Sequence, residues 1–229
     1  MTVQPGALLT PLAISVLALL EERPMHPYEM YQTLLQRRED YLVKIRPGSL
    51  YHTVTRLAER GMVTAEGTDR AGNRPERTIY RITPGGTTAL RARIADIIRR
   101  PVREYPLFPH AMSEAHNLPA DEVIALLRDR IGRLENDRTE LDVLHRWLTT
   151  HEVPRRYWMV LEYLRGQADA ELVWLRRIVT ELADGTLAWD DFAPDGTRMP
   201  APTNAIGPDW GSAVTDDVLA ELRKEERNA

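Results

Sequence analysis

The chain contains no cysteine. Disulfides, thiol catalysis and thiolate metal sites are thereby excluded, in agreement with a reducing cytoplasm. It also lacks a long apolar run. Its most hydrophobic stretch, Pro11 to Leu20, is far shorter than the roughly 20 residues a bilayer demands. That stretch has neither the basic start nor the small-residue cleavage site of a signal peptide. A cytoplasmic protein with no membrane partner is expected. The sequence motifs of the common catalytic classes are missing too: no phosphate-cradling Gly-rich loop, no Gly-x-Ser-x-Gly elbow, no His-Glu-x-x-His helix. The six histidines are scattered, and His110 and His116 stand at a poor helical spacing for a shared metal. No enzymatic activity, cofactor or metal is expected.

What is present is concentrated between Arg46 and Gly61. Pro47 suits the first turn of a helix, where its missing N–H costs nothing, and Gly61 supplies a left-handed stop. At 100° per residue Leu50, Val54, Leu57 and Ala58 share one side. Ser49, His52, Arg56 and Glu59 lie roughly opposite, with Thr53 and Thr55 on the flanks. The apolar stripe holds such a helix down and leaves the polar stripe free to read a surface.

Two helical patterns precede it. Pro11 to Leu20, with Thr10 as N-cap, is apolar nearly all round and reads as a buried central helix. A second helix starts near His26-Pro27, carries Tyr28, Met30, Tyr31, Leu34 and Leu35, and ends at Arg37 to Asp40. Tyr41 to Ile45 reads as an extended link into Arg46-Pro47. A hairpin follows, with strands at Met62–Glu66 and Thr78–Ile82 and a Gly/Asn/Pro loop that carries Arg70, Arg74 and Arg77. Thr83-Pro84 caps a further helix to about Arg100. The order of helix, helix, helix, strand, basic loop, strand, helix is that of a helix-turn-helix with a wing.

Pro47-Gly48-Ser49-Leu50-Tyr51, followed by Arg56-Leu57 and Gly61-Met62-Val63, resembles the PadR family of bacterial transcription regulators. Tyr80-Arg81-Ile82-Thr83-Pro84-Gly85-Gly86 is similar to that family's strand-to-helix turn, and His26-Pro27-Tyr28-Glu29-Met30 stands where the family usually has Gly-Tyr-Glu-Leu. The likeness covers about residues 8–93. It implies a homodimeric repressor with winged helices and a helical C-terminal dimerisation domain, of the longer subgroup. It also implies a DNA contact for Tyr51 and release from DNA by a small, often aromatic, effector.

Charge supports a nucleic-acid surface despite a net charge of −4. Residues 1–100 carry 15 Lys/Arg against 10 Asp/Glu, and residues 101–229 carry 15 against 24. Within 41–93 the count is 10 against 4, so the positive charge sits on the reading helix and wing, as counterion release from DNA requires. Lys44, Arg46, Ser49 and Tyr51 are the phosphate candidates. His52, Thr53 and Arg56 are placed for base edges. Arg70, Arg74 and Arg77 on the wing should lie along the backbone or in the minor groove.

Beyond Arg100, prolines 101, 106, 109 and 119 mark a connector, expected to hold about one helical turn. Helices follow from about Pro119 to Thr150 and, after Val153-Pro154, to about Ala183. Ile124, Leu127, Ile131, Leu134, Leu141 and Leu148 on the first, and Leu161, Leu164, Leu172, Leu175 and Leu182 on the second, keep 3/4 spacing. Two such stripes are expected to need the N-terminal domain, a second subunit or both, and an isologous homodimer is the favoured solution. Trp147, Tyr157, Trp158, Tyr163 and Trp174 could equally line an effector cavity or be plain core. From Asp184 onward the chain reads as irregular, with one short helix at 215–226.

The expected fold is therefore mainly α with a small β-hairpin wing. Residues 1–100 form a winged helix-turn-helix, 101–118 a connector, 119–184 a helical dimerisation and effector domain, and 185–229 a largely irregular tail. The partners are double-stranded DNA, a second copy and a small-molecule effector. The rival is a winged-helix module used only for protein–protein contact, which salt-dependent DNA binding would distinguish.

Overall fold

The computed structural model describes residues 9–69, 77–101, 103–190, 192–193, 196–199 and 215–228. The chain divides into two compact units, 1–104 and 105–229.

The first unit is built around α1 (Pro11–Glu22). Thr10 caps it, its Oγ1 accepting from the Ala13 N–H at 3.3 Å. Leu12, Ala13, Val16, Leu17, Leu19 and Leu20 are buried, the all-round apolar pattern of a central helix. Helix α2 (Pro27–Gln36) packs Met30 and Leu34 into the same core, and the Nδ1 of His26 caps it by accepting from the Tyr28 N–H at 3.0 Å. Helix α3 (Pro47–Glu59) adds Leu50, Val54 and Leu57. It stops as expected, with Gly61 at φ 68.

Strands β1 (Val63–Asp69) and β2 (Arg77–Ile82) pair antiparallel with Val63 opposite Ile82, and the register slips between Ala65 and Gly67. Met25 and Tyr80 exchange backbone hydrogen bonds of 3.1 and 3.0 Å, which fastens the α1–α2 connection to the hairpin. Helix α4 (Pro84–Arg99) begins at Thr83, whose Oγ1 accepts from the Gly86 N–H at 3.1 Å.

One local expectation fails. Residues 41–45 are not extended throughout. Arg38 turns left-handed at φ 59, and a 3-10 turn follows over Glu39–Tyr41. The Glu39 carbonyl then accepts from the Leu42 and Val43 N–H groups at 2.9 and 3.0 Å. Proline restrains only the residue before it, so Arg46 is extended (φ −132, ψ 140) while the chain further back is free to turn.

The second unit is a long helical hairpin with a foot. The connector holds more structure than one turn: α5 (Leu107–Ser113) and a 3-10 turn at Ala115–Asn117. Helix α6 (Ala120–Thr150) reverses through Glu152 (φ 53) and a 3-10 turn at Arg155–Tyr157 into α7 (Met159–Ala183). The ion pairs Arg130–Glu171, Arg138–Asp169 and Arg165–Asp142 climb α6 while descending α7, so the two run antiparallel. Val123, Leu127, Leu175 and Leu182 make the core with Phe108, Met112, Trp174 and Trp189 packed on it, and the Trp189 Nε1–H donates to the Leu118 carbonyl at 2.8 Å. Helix α8 (Asp216–Asn228) closes the described chain.

The leucine stripes do not require a second subunit for their burial. Leu127, Leu141, Leu161, Leu172, Leu175 and Leu182 are buried within the single chain, and Ile124, Ile131, Leu134, Leu148 and Leu164 are half-buried. The expectation that two joined helices cannot cover such stripes overlooked how well each serves as the other's partner.

In the middle of the hairpin the apolar stripe gives way to charge. Asp142 pairs with Arg138 on its own helix and with Arg165 across it at 2.6 Å, while the Arg138 Nε donates to Asp169 at 2.7 Å. Burial works against the Asp142 charge, but the Arg138 hydrogen bond and the charges of Arg165, Arg138 and Arg146 outweigh it and hold the carboxyl below its usual range. A carboxylate whose folded-state pKa is depressed contributes fully above the ordinary aspartate value and loses that contribution as pH falls through the folded value. Asp142→Asn should therefore cost about 1 kcal/mol at neutral pH, a modest figure because the side chain is partly exposed, and should flatten the acid limb of a stability–pH curve.

The turn into α4 yields a sharper test. A Cβ on Gly86 would lie 2.1 Å from the Met62 carbonyl oxygen, which is backbone and already accepts from the Thr83 N–H at 3.0 Å. On Gly85 it would meet nothing closer than 3.7 Å. Gly86→Ala should destabilise the protein by about 1–3 kcal/mol or more, and Gly85→Ala by far less, as read by thermal or urea unfolding.

Candidate nucleic-acid interface

The burial of Leu50, Val54 and Leu57 turns the opposite side of α3 to solvent. Ser49, His52 and Arg56 are exposed there, as are Lys44 and Arg46 on the approach. Tyr51 sits at one flank, 44% exposed, its ring edge-on to His26 at 6.3 Å between centroids. The histidine that caps α2 thus also abuts α3. Thr53 sits at the other flank, half-buried toward α1, with its hydroxyl donating to the Ser49 carbonyl at 2.7 Å. That hydrogen is spent inside the helix, so Thr53 is less suited to a base edge than its sequence position suggests.

Two features mark this face. The first is capping. α1, α2 and α4 have side-chain N-caps in Thr10, His26 and Thr83, whereas Arg46 gives α3 none. The first-turn N–H groups of α3 keep their capacity to donate, and the helix dipole adds positive potential there. The second is pairing. Arg23 pairs with Glu29, Arg37 with Glu22, Arg81 with Glu66 and Arg93 with Asp96. Lys44, Arg46 and Arg56 have no ion-pair partner among the described residues.

The wing is described only in part. Arg77 opens β2 opposite Asp69, and Arg70 and Arg74 lie outside the described residues. Among the described residues no group of His, Asp and Glu is placed to hold a metal, and no helix is long and apolar enough to cross a membrane.

The five C-terminal aromatics do not gather around one cavity within the chain. Trp147 is 53% exposed and stacked on His151, and Tyr157 and Tyr163 are exposed. Trp158 is half-buried, edge-on to His145, with its Nε1–H on the Val153 carbonyl at 2.7 Å. Trp174 packs against Phe108 in the foot of the unit, about 16 Å along α7 from Tyr163 at 1.5 Å per residue.

Residues 16–92 match the Transcriptional regulator PadR-like family. No curated protein matches the chain by sequence. Among solved structures, Bacillus subtilis PadR in complex with operator DNA superposes with a TM-score of 0.63 at 18% identity, covering 76% of this chain and 98% of that one. The same protein in complex with p-coumaric acid gives 0.61 at 17% over 75% and 98%. A PadR-like regulator from Bacillus cereus gives 0.56 at 16% over 76% and 99%. At these identities the likeness is one of fold: winged helix followed by long helices. The sequence likeness to the PadR-like regulators is thus confined to residues 16–92, while the likeness of fold extends over about three quarters of the chain.

Proposed function

We propose that this protein is a sequence-specific repressor that grips duplex DNA as a homodimer, one reading helix and wing per half-site. The observation that carries this reading is the exposed face of α3, where Lys44, Arg46 and Arg56 stand without carboxylate partners around an uncapped helix start. Unpaired cations and free amide donors on one face are what a row of phosphates satisfies. His52 at the centre of the face is the base reader, and Lys44, Arg46, Ser49 and Tyr51 hold the backbone. Arg70, Arg74 and Arg77 extend the grip along the wing. The complex of Bacillus subtilis PadR with operator DNA supports this assignment by shared fold.

The dimer surface is the outer side of α7 rather than the leucine stripes. Met159, Tyr163, Gly166, Ala170 and Val173 recur at 4/3 spacing and are all exposed, the three largest at 60%, 64% and 67%. Gly166 and Ala170 let a second helix approach closely, and a two-fold axis would set this stripe against its own copy. A small aromatic acid is the proposed class of inducer, on the strength of the p-coumaric acid complex of the Bacillus subtilis protein.

Gel retardation on the DNA flanking the coding region tests the main reading. Affinity should fall by roughly a thousandfold or more between about 50 and 200 mM salt, and His52→Ala should narrow the gap between that DNA and a scrambled duplex. Failure to retard any duplex in dilute buffer would leave only the protein–protein alternative. The dimer is tested separately: Ala170→Glu should yield a folded monomer in sedimentation, and an unchanged dimer would remove α7 from the interface.

A further inference from the structure

The pair His26-Pro27 fixes one side chain in two ways. The residue before a proline is kept out of the helical region, and His26 is extended at φ −79 and ψ 147. Pro27 brings no N–H, so the first amide of α2 in need of a partner is that of Tyr28, and the His26 Nδ1 accepts from it at 3.0 Å. A ring nitrogen that accepts carries no hydrogen, which places the proton of the neutral imidazole on Nε2. With backbone and ring both held, the imidazole keeps one orientation. In that orientation it meets Tyr51 of α3 at 6.3 Å between centroids and 74° between planes. We propose that His26 is a positioning residue for Tyr51, whose hydroxyl it holds ready for the sugar–phosphate backbone of duplex DNA. The proposal rests on the DNA-binding reading above and adds to it a residue outside α3.

Three observations converge. The contact does not serve burial: Tyr31 and Tyr80 pack on the core of the first unit, whereas Tyr51 stays 44% exposed and is not among the side chains packed there. The Tyr51 hydroxyl has no hydrogen-bond partner among the described residues, while those of Tyr28 and Tyr163 are each engaged by a glutamine one helical turn on. A phenol that its neighbours leave unused can donate to an acceptor that a partner brings. Tyr51 also lies one turn from the uncapped start of α3, on the flank of the face whose centre is His52. A helix seated in a groove has phosphates along its flanks and bases under its centre.

The gain is one of entropy. A tyrosine on an exposed helix has two χ1 wells open to it, and confining it on binding subtracts from affinity. An edge-on aromatic pair at this spacing is favourable, so a ring that cannot yield selects one well before DNA arrives. Asparagine or serine at position 26 would cap α2 as well as histidine does and would present no such wall.

The test separates the cap from the wall. His26→Asn keeps a capping oxygen and loses the ring; His26→Phe keeps a ring and loses the acceptor. Both are made in the full chain, beside Tyr51→Phe and the double variant of His26→Asn with Tyr51→Phe. Unfolding is followed for each, and binding is measured on the cognate and a scrambled duplex across a salt series. His26→Phe should unfold at lower denaturant, yet bind within about twofold of wild type because the aromatic pair survives. His26→Asn should unfold close to wild type and weaken both duplexes roughly three- to tenfold, the range of one hydrogen bond. Tyr51→Phe should match it, with the salt slope unchanged, since a neutral donor releases no counterion. The double variant should be no weaker than Tyr51→Phe alone, the mark of two residues acting through one contact.

Wild-type affinity in His26→Asn would overturn the proposal, and so would losses that multiply in the double variant. Equal weakening by His26→Asn and His26→Phe, with both folded, would make His26 itself the DNA contact and overturn it too. Should His26→Phe fail to fold, the cycle of His26→Asn with Tyr51→Phe decides alone. Unchanged affinity in Tyr51→Phe would remove Tyr51 from the grip, and the proposal with it, while leaving Lys44 and Arg46 in place. Failure of wild type to bind any duplex would instead overturn the DNA-binding reading itself.

Discussion

The packing of three α3 side chains, Leu50, Val54 and Leu57, against α1 fixes everything the first unit can present. Each is nearly or wholly excluded from solvent, in a core to which α1 contributes Val16 and Leu17 at 0% exposure. Truncating any one of the three to alanine would cost on the order of 2–5 kcal/mol for Leu and less for Val. The helix consequently cannot roll. With its apolar side pinned, the 100° period leaves Ser49, His52 and Arg56 no choice but solvent. The hairpin and α4 complete the enclosure through the Met25–Tyr80 bridge and the close approach of Gly86 to Met62. Rigidity here has a functional meaning on the proposed reading, since a recognition helix held to a fraction of an ångström keeps its donors aligned with groups it meets only on binding.

Much of this was legible in the sequence because caps and stops are local chemistry. Thr10, Thr83, Pro47 and Gly61 act where single-residue rules place them. The link at Tyr41–Ile45 was misread because the left-handed Arg38 is a non-glycine outlier. Nothing in its neighbours announces it, and Val43 and Ile45 have core contacts to satisfy. Gly86 stands out in the sequence only as one of a glycine pair. That one glycine is indispensable and the other is not depends on a carbonyl 24 residues away. In the site, the exposed face of α3 was visible from periodicity, but the inward hydrogen bond of Thr53 and the flank position of Arg56 depend on where α1 lies.

The hairpin shows where periodicity alone misleads. A leucine stripe announces that a partner exists and says nothing of whether it lies on the same chain. Here α6 and α7 serve each other, and the polar layer of Arg138, Asp142, Arg165 and Asp169 at their middle sets the match. A slip of one turn would leave these partly buried charges without partners, a penalty that leucine against leucine does not impose. The layer thus contributes register more than stability. The side of α7 left over, with its small residues between Tyr163 and Val173, carries the second periodic pattern that the leucines had obscured.

Charge pairing ties the two halves of the reading together. Arg23, Arg37, Arg81, Arg91, Arg93 and Arg100 of the first unit are paired with carboxylates, and such exposed pairs contribute little each. Their effect is to quench the field where no anion is wanted. Along Lys44, Arg46 and Arg56 the quenching is absent, and the uncapped start of α3 adds to the same potential. A surface of that kind carries unrelieved self-repulsion in the free protein. On the proposed reading, DNA relieves it while its condensed counterions are released, so the same arrangement that weakens the isolated fold slightly strengthens the complex steeply at low salt. On the proposed reading, binding strength and sequence choice fall to different residues: the cations beside the face set how tightly the helix is held, and the few groups at its centre, His52 first, decide where.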